Sequence, residues 1–130
     1  VCSSDLPMTS GAAAGENGSA TANATTSNKV CGIVKAVWVK YEGSPPAETT
    51  DVTVATSGGA HPATTILSIT NAATDGVFYP HAQAQLNDGT ALTYDGTRKV
   101  PAEIAIYDTV KVTIAGANAA DYVTVWMAVE

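Results

Sequence analysis

Val110-Lys111-Val112-Thr113-Ile114, followed after a short loop by Val123-Thr124-Val125-Trp126-Met127-Ala128-Val129, decides the fold class of this 130-residue chain. In both runs aliphatic side chains alternate with polar or small ones. A period of two puts every second side chain on one face of an extended strand, so each run reads as a half-buried β-strand. Gly116-Ala117-Asn118-Ala119-Ala120-Asp121 between them has turn composition and predicts a hairpin. Upstream, residues 30–42 carry the longest β-signal, with Val30, Ile33, Val34, Val37, Trp38, Val39 and Tyr41. Apolar residues fall on both faces there, which predicts a central strand covered on both sides, with Lys35 and Lys40 marking exposed spots.

Shorter signals follow at near-regular spacing: residues 51–56, 64–70, a stub at 77–80 halted by Pro80, an ambiguous run at 81–86 and a short strand at 92–94. Turn composition separates them, including Asp75-Gly76, Asp88-Gly89 and Asp95-Gly96. No helical periodicity competes. The expected fold is all-β: a single-domain antiparallel β-sandwich or jelly-roll-like barrel with a flexible N-terminal arm. The expected core includes Val34, Val37, Val52, Val54, Ile66, Val112, Ile114, Val123, Val125 and Met127.

The arm is assigned to residues 1–17 and the β-sandwich domain to residues 18–130. Gly, Ala and Ser dominate residues 7–17, too little apolar surface to order a segment by itself. Residues 18–26 alternate small and polar side chains and predict a weak edge strand, or one that forms only against a partner. The opening Val1-Cys2-Ser3-Ser4-Asp5-Leu6 is what a common sequencing adapter encodes when translated in frame. Residues 1–6 are therefore read as an assembly scar with Met8 as the start, implying a metagenomic source. On that reading Cys31 is a lone thiol, expected to pack as a small buried hydrophobe in a Val-rich strand.

Composition excludes several function classes. Twelve acids against six bases give a net charge of −6, and the bases are scattered, with Arg98-Lys99 the only adjacent pair. Nucleic-acid coats need clustered Lys and Arg on phosphates, so no nucleic-acid partner is expected. No run of about eighteen apolar residues exists, so no membrane-spanning helix is expected. Residues 7–26 lack the basic start and apolar centre of a signal peptide, and the sequons at Asn17 and Asn23 are of the kind a Thr-rich run produces by chance.

The search for chemistry is negative. His61 and His81 stand beside prolines in loops and read as surface imidazoles; no zinc-like ligand spacing accompanies them. There is no nucleophile elbow, phosphate-cradling glycine loop or metalloprotease helix motif. Asp75, Asp88, Asp95, Asp108 and Asp121 all fall at or beside expected turns, where Asp bonds nearby backbone, and turn chemistry is preferred to a carboxylate pair or calcium cluster. No catalytic, cofactor-binding or metal-binding residue is assigned, no cofactor is expected, and the chain is read as a structural building block rather than an enzyme. Trp38, Trp126, Phe78 and the tyrosines read as sandwich core or subunit interface, with Trp126 a candidate for an exposed position opposite the Val123, Val125, Met127 face.

Ile33-Val34-Lys35-Ala36-Val37-Trp38-Val39-Lys40-Tyr41, Thr74-Asp75-Gly76-Val77-Phe78-Tyr79-Pro80 and Tyr94-Asp95-Gly96-Thr97, in this order and with the closing residues 121–130, resemble a family of short proteins encoded among tailed-phage head and tail structural genes. The likeness covers most of residues 18–130, and its strongest strings look like fold-defining turns. His81 stands where a basic residue is expected in similar proteins, which puts a charge-dependent contact at that point in question. The resemblance implies a virion structural protein located on the particle, with head decoration or cement as its suggested role. Its partners would be the major capsid protein and further copies of itself, a trimer first, because cement proteins commonly sit on three-fold positions. Weak contacts repeated over a lattice suit such a role, and residues 7–26 have the composition of an arm that adds a strand to a neighbour. Ser19, Thr21, Asn23, Thr25 and Trp126 are the candidate interface residues. The alternative is a ligand- or carbohydrate-binding β-sandwich module of a phage tail tip or cell-surface protein, whose mark would be exposed aromatics in a row on one face.

Overall fold

The structure, a computed structural model, describes residues 8–43, 45–59 and 61–130, together with the backbone of residues 2 and 3. The rest of the segment assigned as a scar, and Pro7, lie outside the described residues. Twelve strands form: β1 (Cys2–Ser3), β2 (Met8–Thr9), β3 (Ala20–Thr25), β4 (Lys29–Glu42), β5 (Asp51–Thr56), β6 (Thr65–Ile69), β7 (Gly76–Phe78), β8 (Ala82–Gln83), β9 (Pro101–Ala102), β10 (Ile104–Asp108), β11 (Val110–Ala117) and β12 (Tyr122–Val129). No helix occurs among the described residues. The all-β sandwich read from the alternation is the observed architecture.

A six-stranded sheet has the order β1-β4-β12-β2, with β10 and β7 both pairing β4, and a four-stranded sheet runs β3-β11-β5-β6. One core lies between them. Val37, Val39, Val123 and Val125 from the first sheet meet Val52, Val54, Val112 and Ile114 from the second. All ten residues expected in the core are buried, and Val30, Ile104, Ile106 and Val110 join them.

The central strand β4 departs from a simple alternation. Val30 and Val34 face the core, but so do Val37, Val39 and Tyr41, which have the opposite parity. The register explains this. Val129 pairs with Val34 while Ala128 pairs with Ala36, leaving Lys35 as the extra residue of a β-bulge. A bulge reverses which face each later side chain takes. The strand is therefore central, as expected, but not covered on both sides: Trp38 is 44% exposed and Lys35 and Lys40 are exposed beside it. The apparent two-faced hydrophobicity came from one core face that changes parity.

A second expectation also fails. β11 and β12 are not a hairpin, because β11 pairs with β3 and β5 whereas β12 pairs with β4 and β2. The loop between them carries the chain from one sheet to the other. Gly116, near the end of β11, has φ +64, and a Cβ there would collide with the Thr49 carbonyl. The threonine hydroxyl donates to the Gly116 carbonyl at 2.6 Å, locking this corner. Buried carboxylates secure two sheet crossings. Asp108 accepts from Gly58 N at 3.1 Å and Thr109 N at 2.8 Å, and Asp121 accepts from Ala47 N and Asn118 N, both at 3.2 Å.

The N-terminal segment pairs with the domain from Met8 onward. Met8 and Thr9 pair with Val125 and Thr124, Ser10 N donates to the Val123 carbonyl at 2.9 Å, and Ala14 bridges Thr21. Met8, Ser10 and Ala13 are buried. Small side chains add little burial themselves but let backbone pair closely. Cys31 is disulfide-bonded, so it is not the lone thiol of the sequence reading. It lies on β4 next to the two residues, Lys29 and Val30, that pair in parallel with Cys2–Ser3.

Two substitutions probe this account. Ile114→Ala removes a fully buried aliphatic and is expected to cost about 2–5 kcal/mol in chemical denaturation. Gly32→Ala is expected to cost about 1–3 kcal/mol, because Gly32 has φ +130 and a Cβ there would sit 2.7 Å from the Glu130 carbonyl oxygen. Unchanged midpoints in both variants would mean the core and the bulge region are misplaced.

Candidate functional site

Two surface features stand out. The first is residues 79–103, between β7 and β10. No side chain from residue 67 to residue 103 is buried. The segment nevertheless has regular pairing. β8 and β9 form an antiparallel stem through Ala82↔Ala102 and Gln83↔Pro101, and the chain between them makes two further hairpins, marked by the bridges Gln85↔Ala91 and Thr93↔Lys99. They meet at a closed ring of backbone hydrogen bonds. Ala84 N donates to the Val100 carbonyl at 2.8 Å, Val100 N to Leu92 at 3.2 Å, and Leu92 N to Ala84 at 2.9 Å. The three residues are equally spaced in sequence, so each arm repeats the same loop length.

Asp-Gly turns close both hairpins. Asp88 accepts from Thr90 N at 2.9 Å; Asp95 accepts from Thr97 N at 3.0 Å and Arg98 N at 2.8 Å, and pairs with the Arg98 guanidinium at 2.8 Å. Here the turn chemistry expected of the aspartates operates as written. The arms display Leu86, 52% exposed, and Tyr94, 68% exposed, while Tyr79 at the entry is 65% exposed. His81 is exposed, its Nδ1 at 2.8 Å from the Tyr79 carbonyl.

The second feature is a groove on the outer face of the six-stranded sheet. Trp126 on β12 is the cross-strand partner of Trp38 on β4, and Trp38 is in turn the partner of Val77 on β7. The three apolar side chains form one line across three strands. Together with Lys40, Asp75 and Gly76 they bound an open groove of about 620 Å³. Lys40 pairs with Glu42 at 3.1 Å, which raises the lysine pKa. Asp75 accepts the Tyr41 backbone N–H at 2.8 Å across the sheet, so this Asp is a long-range tie rather than a local turn cap. Burial, followed by the nearby Asp75 charge, pushes the Tyr41 phenol up.

The sequence-assigned interface residues do not converge. Thr21, Asn23 and Thr25 are exposed along β3, an edge strand of the four-stranded sheet, and Ser19 precedes them with its hydroxyl donating to the Glu16 carbonyl. Trp126 is half-buried on the other sheet. β3 already has an in-chain partner in β11. Sequence reasoning missed Trp38, Lys40, Asp75 and Val77 as groove residues, since cross-strand neighbours follow from register alone.

Among the described residues no group of three or more His, Cys, Asp or Glu could hold a metal ion, and no helix is long and apolar enough to cross a membrane. His61 packs edge-on against Tyr107 at 5.6 Å, and Lys29 lies 5.4 Å from the same ring. Compared with family models, curated proteins and solved structures, the chain matches none.

Hydrogen bonds from Thr90 hold the Asp88 carboxyl below its ordinary value of 3.8, and those from Arg98, then Thr97, do the same for Asp95. A depressed folded pKa contributes stability above the ordinary value and loses it as pH falls toward the folded one. The turn amides of Thr90, Thr97 and Arg98 are therefore expected to keep their NMR shifts from pH 7 to about 5 and to move together below the ordinary value. Movement of these amides near pH 6 would contradict the assignment.

Proposed function

We propose that this protein is a non-catalytic structural component that docks on a repetitive protein surface, with the head of a tailed phage as the setting the sequence resemblance suggests. The projecting hairpin junction carries this reading. Fixing a residue's backbone costs about 1–2 kcal/mol, normally offset by burial. Residues 79–103 are regularly paired yet bury no side chain, while presenting Tyr79, Leu86 and Tyr94 to solvent. A segment so built gains its apolar burial on a partner. Tyrosine suits that role, since its ring supplies contact area and its hydroxyl tolerates water at a rim. Many copies on one lattice then multiply a small contact into firm attachment.

The N-terminal segment takes a smaller part than its composition suggested. β2 and β3 already complete their own sheets, which leaves strand donation to a neighbour without a loose donor. Self-association, with a trimer first, and contact with the major capsid protein remain the proposed partnerships, now routed through the projection.

The experiment shortens the projection without touching the sandwich. Gln83 and Pro101 face each other across an antiparallel pair, so residues 84–100 can be replaced by Asn-Gly, the favoured two-residue hairpin turn. The shortened protein is expected to keep its far-ultraviolet circular dichroism and its cooperative melt. It is also expected to lose binding to heads assembled from the major capsid protein of the same genome. Undiminished binding would overturn the reading.

A further inference from the structure

The groove across β12, β4 and β7 lies on the sandwich itself, apart from the hairpin projection, and calls for a different occupant. We propose that the Trp38–Trp126 groove is a binding site for a neutral oligosaccharide, whose ring faces lie against the two indoles and whose hydroxyls bond to Lys40 and Asp75.

Four observations converge on that ligand class. First, Trp126, Trp38 and Val77 are directly opposed across adjacent strands. With strands spaced ~4.8 Å, the line runs about 10 Å, which is disaccharide length rather than that of a single small group. Second, the aromatic pair, Trp38 exposed and Trp126 half-buried, sits on the outer face of a pleated sheet that the core holds rigid: Val37, Val39 and Val125, which flank the two tryptophans, are all fully buried on the opposite face. A platform fixed in this way binds without paying for its own ordering. The faces of indoles carry partial negative charge and attract the polarised C–H groups of a pyranose ring.

Third, the groove wall is almost wholly apolar, and the two charged side chains that border it, Lys40 and Asp75, are of opposite sign. Lys40 supplies a donor and Asp75 an acceptor, and the Tyr41 backbone N–H at 2.8 Å fixes the carboxylate in place. Vicinal hydroxyls of a sugar both donate and accept, so such a rim matches them. Two carboxylates, Asp75 and Glu42, near one ammonium in a chain of net charge −6 disfavour sulfated or uronic glycans and nucleotides, whose charge would be repelled. Fourth, the size fits. A volume of about 620 Å³ lies within the small-ligand range. Three side chains in a line fall far short of the ~800 Å² per partner of a stable protein interface, which argues against a second copy as the occupant.

Binding of cellohexaose, chitohexaose and maltohexaose to the full chain, followed by tryptophan fluorescence and isothermal titration calorimetry, tests the proposal. At least one is expected to bind at millimolar concentration or below. Trp38→Ala is expected to weaken it by about tenfold or more, while Tyr94→Ala on the projection leaves it unchanged. Lys40→Ala, an exposed change unable to disturb the core, is expected to weaken the same ligand and serves if Trp38→Ala fails to fold. No binding of any of the three overturns the proposal, as does equal binding by wild type and Trp38→Ala. Light scattering that shows Trp38→Ala dissociating an oligomer would overturn it in favour of a contact between copies. None of these results bears on whether the projection docks on capsids, since the shortened protein retains the groove.

Discussion

The change of phase in β4 is the constraint on which the molecule depends. This strand is shared by β12, β10, β7 and β1, and with one residue fewer its whole second half would turn over. Val37, Val39 and Tyr41 would face water, and Trp38 and Lys40 would face the core. The bulge at Lys35 lets a strand with two hydrophobic phases present one continuous inner surface. Gly32 belongs to the same arrangement: only a residue without a Cβ lets β4 and the end of β12 approach, where Ile33 and Glu130 exchange backbone hydrogen bonds at 2.8 and 2.9 Å. The core and the tryptophan groove thus have one cause. The slip that buries three side chains is the slip that sets Trp38 outside, opposite Trp126.

What the sequence revealed follows from the range of each signal. Alternation is a property of neighbours in the chain, so β11, β12, β5 and the ten core residues could be read directly. Partner choice is not local. The loop between β11 and β12 has ordinary turn composition, and nothing in it tells a hairpin from a crossing between sheets; the deciding contact is with Thr49, far upstream. β10 gives a weak signal because its inward positions are Ile104, Ile106 and Asp108, an alternation with only two apolar members, too short to stand out after Pro101. The groove was half legible: Trp126 lies opposite an obvious core face, but Trp38 changed sides at a bulge that composition does not announce.

The aspartates show the same division. Asp88 and Asp95 close turns that their own neighbours define, as their Asp-Gly context indicates. Asp75, Asp108 and Asp121 accept from backbone groups distant in sequence, at Tyr41, Gly58 and Ala47. Two of these three are buried, where losing the carboxylate would strand amide donors away from water at roughly 1–3 kcal/mol each. Residue type and turn context were alike in all five. The sequence distance of the donor separates the caps from the ties, and which distant amide comes within reach is decided by the sandwich as a whole.

The projection and the groove differ in where their stability originates, and this makes them separable. The groove rests on the best-packed strands, so its geometry persists as long as the core does. The hairpin junction is held by a ring of three backbone hydrogen bonds and exposed Asp-centred turns, with no buried side chain to reinforce them. Local opening follows local burial, so the junction yields first under acid or heat while the sandwich remains folded. A surface that must mould itself to a partner is served by such an element, and a rigid platform for stacking is served by the opposite. The chain places each on the part of the fold whose mechanics suit it.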